Sequence, residues 1–376
     1  MTTPLRAPET SDDSELNSPT GATSAPRLLE ELVRQAEAAG ASDLHLHRVG
    51  PRVEVAFRLD GVITPGEGIP WEAGDRLFGR IKFLSRLKTY QESLPQDGRI
   101  ERGDLGSKAD VRVSTYPTVT GEKIVLRLFS GAGVRGLAEL SLPGAALGEL
   151  QRFLKHGAGL LLLTGPAGSG KTTTIHACLA ALVAEGGRQI ITVEDPVEQI
   201  IPGTMQTEVN EARGLTFAKA ARHLLRQDPQ VLVIGEIRDE ETAAIAARAA
   251  LTGHQMISTL HAGSCQGVWE RFRVLCPDHT AALTALELIW NLRLLRRVCP
   301  GCRGGGGRGC EVCLGTGHRG RVPVVEWFRL DDALRGRIRE EGPSAIQPDV
   351  SLERSARELG EQGITSPAEL ERVFTR

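Results

Sequence analysis

Large apolar residues are scarce over residues 1 to about 26, which are rich in Ser, Thr, Pro, Asp and Glu. Such a segment cannot bury enough surface to offset its ordering entropy, so a disordered tail is expected. From Arg27 to about Ala39 the pattern changes, and Leu28, Leu29, Leu32, Val33 and Ala36 recur at helical spacing until Gly40 stops the helix. Alternating runs follow at Asp43–His47 and Val53–Leu59, with Asp60-Gly61 as a hairpin turn. A helical segment around Arg76 to Leu87 and strands at Asp110–Ser114 and Glu122–Phe129 complete a small α+β domain over residues 27–130.

Residues 131–144 carry glycines and a proline and read as a linker. Beyond it, strands and helices alternate. Strands are expected at Gly159–Thr164, Gln189–Glu194, Val231–Glu236 and Gln255–Leu260, and helices after Lys171, near Phe217–Arg226 and at Glu240–Ala250. This is the pattern of an α/β domain, a mostly parallel sheet covered by helices on both faces. Asp278–Val298 reads as a further helix, followed by a glycine-rich cysteine segment and a charged helical tail to Arg376. All of it, residues 145–376, is assigned to the second domain.

Composition narrows the class. The chain has 376 residues, enough for two domains, and is 40% hydrophobic with a formal net charge of -2. Near-neutral charge and 4% aromatic content disfavour a nucleic-acid binder, and no nucleic-acid partner is expected. No apolar stretch approaches the ~20 residues of a membrane span, and no secretory signal is evident. A cytosolic setting is therefore expected, in which the 7 cysteines stay reduced.

The chemistry centres on Gly165-Pro166-Ala167-Gly168-Ser169-Gly170-Lys171-Thr172, a match to the phosphate-binding loop G-x-x-x-x-G-K-[ST]. It has the required context of a strand before and a helix after. The glycines let backbone N–H groups turn toward phosphate oxygens, and the helix adds its positive end. Lys171 would neutralise phosphate charge, and the Thr172 hydroxyl would sit on Mg²⁺. Gly165, Gly168, Ser169, Gly170, Lys171, Thr172 and Thr173 form the expected ATP-binding set.

Two strands end in acids. Val231–Glu236 has the form of a Walker B strand, and Ile190–Glu194 runs into Asp195. Parallel strands put their carboxyl ends on one edge, which makes Glu194 a candidate general base and Glu236 a candidate Mg²⁺ holder; acids that merely cap turns are the alternative. His261 follows the strand Gln255–Leu260 and would sense the terminal phosphate, unless it and His254 are simply turn histidines. Arg222 and Arg226 are four apart on an expected helix, and a phosphate-transfer site gains from arginines, as it would from Arg99, Arg112 and Arg127.

Cys299-Pro300-Gly301-Cys302, seven residues, then Cys310-Glu311-Val312-Cys313 make a paired CxxC. Four thiolates from two knuckles suit a closed structural zinc site with no open position for catalysis. His45 and His47 share a strand face, but without a third ligand nearby they read as surface residues.

With these elements in place the chain resembles the ATPases of type II secretion and type IV pilus assembly. The resemblance runs from about Leu28 to Arg335. It is carried by Ala41–His45, Leu94–Arg99, Asp110–Ser114, the phosphate loop, Thr192–Glu198, Leu225–Pro229, Gly235–Asp239, Leu251–His254 and Ser258–His261. It implies a hexameric ATPase with a RecA-like domain preceded by a PAS-like domain, working at the inner face of the cytoplasmic membrane on an inner-membrane platform protein. By motif matching, Glu194 is the catalytic glutamate, Glu236 the Walker B acid, and Arg99, Arg112, Arg222 and Arg226 the arginines around the phosphates. ATP, Mg²⁺ and Zn²⁺ are the implied cofactors, and the four cysteines resemble the assembly and secretion branch. The alternatives are a related ATPase for DNA uptake or pilus retraction, or an ATP-binding scaffold without useful turnover.

Overall fold

The computed structural model describes residues 24–108, 110–128, 133–304, 309–348 and 350–375. The expected N-terminal tail lies almost wholly outside them. Two compact units emerge. One holds the described residues up to Gly133 together with those of Val298–Gly320, and the other holds those of Val134–Arg297 and Arg321–Arg376.

The first unit begins with helix α1 (Ala25–Ala39), which buries Leu29, Leu32, Val33 and Ala36 and ends at Gly40 in the left-handed region. Strands β1 (Ala41–Val49), β2 (Arg52–Leu59), β3 (Val62–Pro65) and β4 (Ile69–Pro70) follow, then α2 (Trp71–Leu84), β5 (Gln96–Ile100), α3 (Arg102–Leu105), β6 (Val111–Thr118) and β7 (Gly121–Leu128). The strands form one sheet in the order β3-β2-β1-β7-β6-β5, with β4 on β2. Its core joins the apolar faces of α1 and α2 to Leu44, Leu46, Val53, Val55, Phe57, Val113, Ile124 and Leu126. Helix α2 starts five residues before the expected Arg76, because Trp71 already packs on this core.

The cysteine segment belongs to this unit, whereas sequence reading had assigned it to the second domain. Leu314 packs against the first unit's core, and the Gly320 N–H donates to Asp60 Oδ2 at 2.8 Å. Cysteine spacing encodes the knuckles but not the surface they rest on.

In the second unit, α4 (Gly144–His156), β8 (Gly159–Thr164), α5 (Lys171–Glu185), β9 (Ile190–Glu194), β10 (Met205–Glu208), α6 (Phe217–Leu224), β11 (Val231–Ile234), α7 (Glu240–Leu251) and β12 (Gln255–Thr259) follow; the strands and helices expected from the sequence alternate here, with α4 and β10 in addition. Then come α8 (Cys265–Leu275), α9 (His279–Ala285), β13 (Leu286–Val298), β14 (His318–Arg329), α10 (Asp332–Glu341), α11 (Leu352–Glu361) and α12 (Pro367–Phe374). The sheet order is β10-β9-β11-β12-β8-β13-β14, with parallel pairing from β10 through β13.

Alternation along the strands divides the core. Leu160, Leu162, Leu232 and Ile234 face α6 to α9, while Leu161, Leu163, Val231 and Val233 face α4 and α5. The expected helix Asp278–Val298 is corrected here: only α9 is helical, and Leu286–Val298 is a strand paired with β8. Leucine and arginine favour helices intrinsically, but the buried sheet edge at β8 takes this segment instead. Among the described residues no helix is long and apolar enough to cross a membrane.

Candidate functional site

The parallel strands β8, β9, β11 and β12 present their carboxyl ends along one edge. Gly165 follows β8, Glu194 ends β9, Glu236 lies two residues beyond β11, and His261 two beyond β12. Three glycines of the phosphate loop adopt positive φ: Gly165 (142°), Gly168 (74°) and Gly170 (98°). At Gly165 a Cβ would meet the Leu292 carbonyl oxygen at 2.4 Å, so this position needs both the backbone freedom and the missing side chain. Ser169 Oγ is buried with no hydrogen-bond partner among the described residues. A curled glycine loop with an orphaned hydroxyl at a helix N-terminus fits an anion such as a phosphate. Lys171 Nζ donates to the carbonyls of Gly165 and Pro166 at 2.7 and 3.1 Å. Burial pushes its pKa down, Glu236 opposing the shift and Arg293 adding to it. Thr172 is partly exposed and Thr173 exposed at the start of α5.

Glu194 is buried on β9. Its Oε1 accepts from Thr192 Oγ1 at 2.6 Å and from Gln206 Nε2 at 2.9 Å, and its Oε2 lies 3.7 Å from His176 Nε2. Burial raises the carboxyl pKa, but His176, Gln206 and Thr192 more than offset this and hold it below the ordinary value. Glu236 is held from two sides. Arg238 Nε donates to Oε2 at 2.8 Å, and His261 Nε2 lies 3.2 Å from Oε1. Arg238 also reaches Asp195 Oδ2 at 3.2 Å and covers the Phe217 ring, so one guanidinium ties the ends of β9 and β11 together.

The arginines fall in different places. Arg222 on α6 pairs with Glu241, and Arg226, two residues past the end of α6, contacts His223 Nδ1 at 2.7 Å. The expected helix over both is therefore shorter than its pattern suggested. Arg99, Arg112 and Arg127 lie in the first unit, directly opposite one another across β5, β6 and β7. Arg99 pairs with Asp110, and Arg127 Nε with Asp43 Oδ1 at 3.0 Å.

Sequence reading missed His176, Gln206, Arg238 and Arg293. Arg238 carried a signal, standing two residues after Glu236. Arg293, which donates to Asn291 Oδ1 at 2.7 Å and to the Gly263 carbonyl at 3.0 Å, was hidden by the helix assignment of β13. Nothing in the spacing of His176 or Gln206 announced their place beside Glu194.

The Sγ atoms of Cys299, Cys302, Cys310 and Cys313 all lie within 4.8 Å of one another, the one such metal-type cluster among the described residues. Three of the separations are 3.8 Å. A tetrahedron with Zn–S bonds of ~2.3 Å has edges of about 3.8 Å, so the four sulfurs fit a zinc ion. N–H groups of Cys310 and Gly317 point at Cys313 Sγ at 3.0 and 3.2 Å. Burial alone would raise this thiol; those N–H groups, together with the Cys302 and Cys310 thiols, outweigh it and bring it down to about 7. His47 Nε2 instead contacts Thr118 and Thr120 hydroxyls.

Comparison with known proteins agrees with this layout. The family model for type II/IV secretion system proteins matches residues 19–372. Type II secretion system protein E of Klebsiella pneumoniae is 37% identical over 374 residues, covering 92% of this chain and 75% of its own. The type IV pilus assembly ATPase PilB of Thermus thermophilus is 36% identical over 370 residues, covering 91% of this chain and 41% of its own. Among solved structures, the pilus retraction motor PilT with bound ADP aligns at a TM-score of 0.65 and 26% identity, covering 92% of this chain and 97% of its own. The second unit accordingly has the RecA-like fold of a P-loop ATPase. The chain belongs to the type II/IV secretion system protein family, among whose members are the ATPases of type II secretion and type IV pilus assembly.

Proposed function

We propose that this chain is a ring-forming motor that hydrolyses ATP with Mg²⁺ to drive assembly of a type II secretion pseudopilus or a type IV pilus. The observation that carries the reading is the shared edge of the second sheet, where the curled phosphate loop, Glu194 and Glu236 come together. Lys171 leaves the loop carbonyls to neutralise phosphate charge, as its donors are already aimed along the loop. Thr172 and Glu236 would hold Mg²⁺, which when bound would neutralise charge developing on the phosphates. Glu194, fixed through Oε1, takes a proton from the attacking water, and His261 senses the terminal phosphate through its contact with Glu236. Arg222 and Arg226, with Arg99 and Arg112, serve as the arginines around the phosphates.

The four cysteines would hold a structural Zn²⁺, filling all four of its positions and leaving none open for chemistry. In this reading the chain works as a homohexamer on an inner-membrane platform protein, from the cytoplasmic side of that membrane, and its membership of the secretion family supports the reading. The test is Mg²⁺-dependent ATP turnover by wild type and Glu194→Gln, with assembly followed by light scattering. The proposal expects turnover by wild-type rings and nucleotide binding without turnover by the variant. Rings that bind ATP and fail to hydrolyse it, even with the platform protein added, would overturn it.

A further inference from the structure

Two buried titratable side chains meet where α5 crosses β9. Alternation along β9 sends Ile191 and Val193 to one side, and Ile190 to the side where Ile175, Cys178, Leu179 and Leu182 of α5 pack. Thr192 and Glu194 share the α5 side with Ile190. His176 sits on the buried face of α5, 7% exposed, next to Ile175 and Ala177.

The two oxygens of Glu194 are treated differently. Oε1 is occupied by Thr192 Oγ1 and by Gln206 Nε2, which also donates to the Gln199 carbonyl. Oε2 has neither, and His176 Nε2 faces it at 3.7 Å, just beyond hydrogen-bonding length. That nitrogen is buried with no hydrogen-bond partner among the described residues. Buried polar atoms are nearly always satisfied, so an orphan aimed at a carboxylate calls for a reason. A sub-ångström shift of either side chain completes the bond, and a bridging proton of the imidazole would then fix the carboxylate plane.

We propose that His176 is a positioning residue for Glu194: its Nε2 holds Oε2, the oxygen left free by Thr192 and Gln206, in the orientation that accepts a proton from the attacking water. The inference rests on Glu194 as the general base. In that step a water proton passes to Oε2, the water oxygen bonds to the terminal phosphorus, and the bond from phosphorus to the departing diphosphate oxygen breaks. His176 touches neither substrate nor water. It acts by keeping the base aimed, and small errors of aim are costly in rate.

The test uses the full chain and four variants: His176→Phe, His176→Gln, Glu194→Gln and the double variant His176→Phe with Glu194→Gln. Steady-state ATP turnover, equilibrium ATP binding and thermal melting are measured for each. The expected result is that His176→Phe lowers kcat about tenfold to a hundredfold, with ATP affinity and melting temperature near wild type. His176→Gln, whose amide N–H can replace Nε2, recovers most of the loss. In the Glu194→Gln background His176→Phe changes nothing further, since its target is gone. A His176→Phe variant at wild-type kcat overturns the inference, as does a His176→Gln variant equally slow, which would mean a packing role. Full turnover by Glu194→Gln removes the base itself and the inference with it. An inactive Glu194→Gln beside a fully active His176→Phe removes the inference alone.

Discussion

The backbone of Gly165 lies so close to the Leu292 carbonyl oxygen that an added Cβ would approach it to 2.4 Å. Strand β13 thus sets the space into which the phosphate loop curls, and at φ 142° Gly165 is also in a region that L side chains avoid. Gly165→Ala is expected to weaken ATP binding at least tenfold, about 1.4 kcal/mol. Equilibrium titration with a fluorescent ATP analogue checks this, and unchanged affinity would show that the loop relaxes around the new methyl.

Lys171 spends its hydrogen bonds on two loop carbonyls, groups that water can satisfy if the lysine is removed. Lys171→Met should therefore leave the melting temperature of the nucleotide-free protein within a few degrees. The same variant should lose most of the stabilisation that saturating MgATP confers on the wild type. Thermal shift with and without MgATP separates the two effects.

The cysteine cluster predicts one zinc per chain by elemental analysis. Cys302→Ser is expected to lose most of it, and chelation or this substitution should lower the melting temperature by roughly 5–10 °C, because a bound structural metal adds directly to folding free energy. Equal melting of metal-loaded and chelated protein would argue for free thiols instead.

Glu369 on α12 is fully buried and accepts from the Arg296 backbone N–H at 2.9 Å, Arg296 Nε at 2.8 Å and Arg372 Nε at 2.7 Å. Burial alone would raise its carboxyl, but Arg372 and Arg296 more than offset this and hold it below the ordinary value. A depressed folded-state pKa contributes stability above the unfolded value of about 4.3, lost as pH falls through the folded one. Glu369→Gln should cost about 3 kcal/mol at neutral pH, mainly by leaving the largely buried Arg296 guanidinium without its carboxylate, since Arg372 is partly exposed and can turn to solvent. The stability of the variant should also fall less steeply than wild type below about pH 4.3. Denaturant titrations at pH 7 and at a series of pH values from about 4.5 downward test both.

Much of the architecture is legible in residue order. The strand-loop-helix around Lys171, the acid-terminated runs at Glu194 and Glu236, and the buried strand Gly159–Thr164 announce themselves because hydrophobic period and loop chemistry act over neighbouring residues. Segment Leu286–Val298 did not. Its leucines and arginines suit a helix, and only the open edge of β8 makes it a strand.

What the sequence by itself determined, then, is local: the glycines that free the phosphate loop, the strand runs that end in Glu194 and Glu236, and the four cysteines at knuckle spacing. The tertiary structure alone decided what lies across from them. It set His176 and Gln206 around the two oxygens of Glu194, Arg238 on Asp195, and Leu314 of the cysteine segment on the first unit's core. These partners are up to hundreds of residues apart, and no periodicity links them. Packing of the two faces of β9 and the closure of each core choose them, because burial rewards total contact rather than adjacency along the chain.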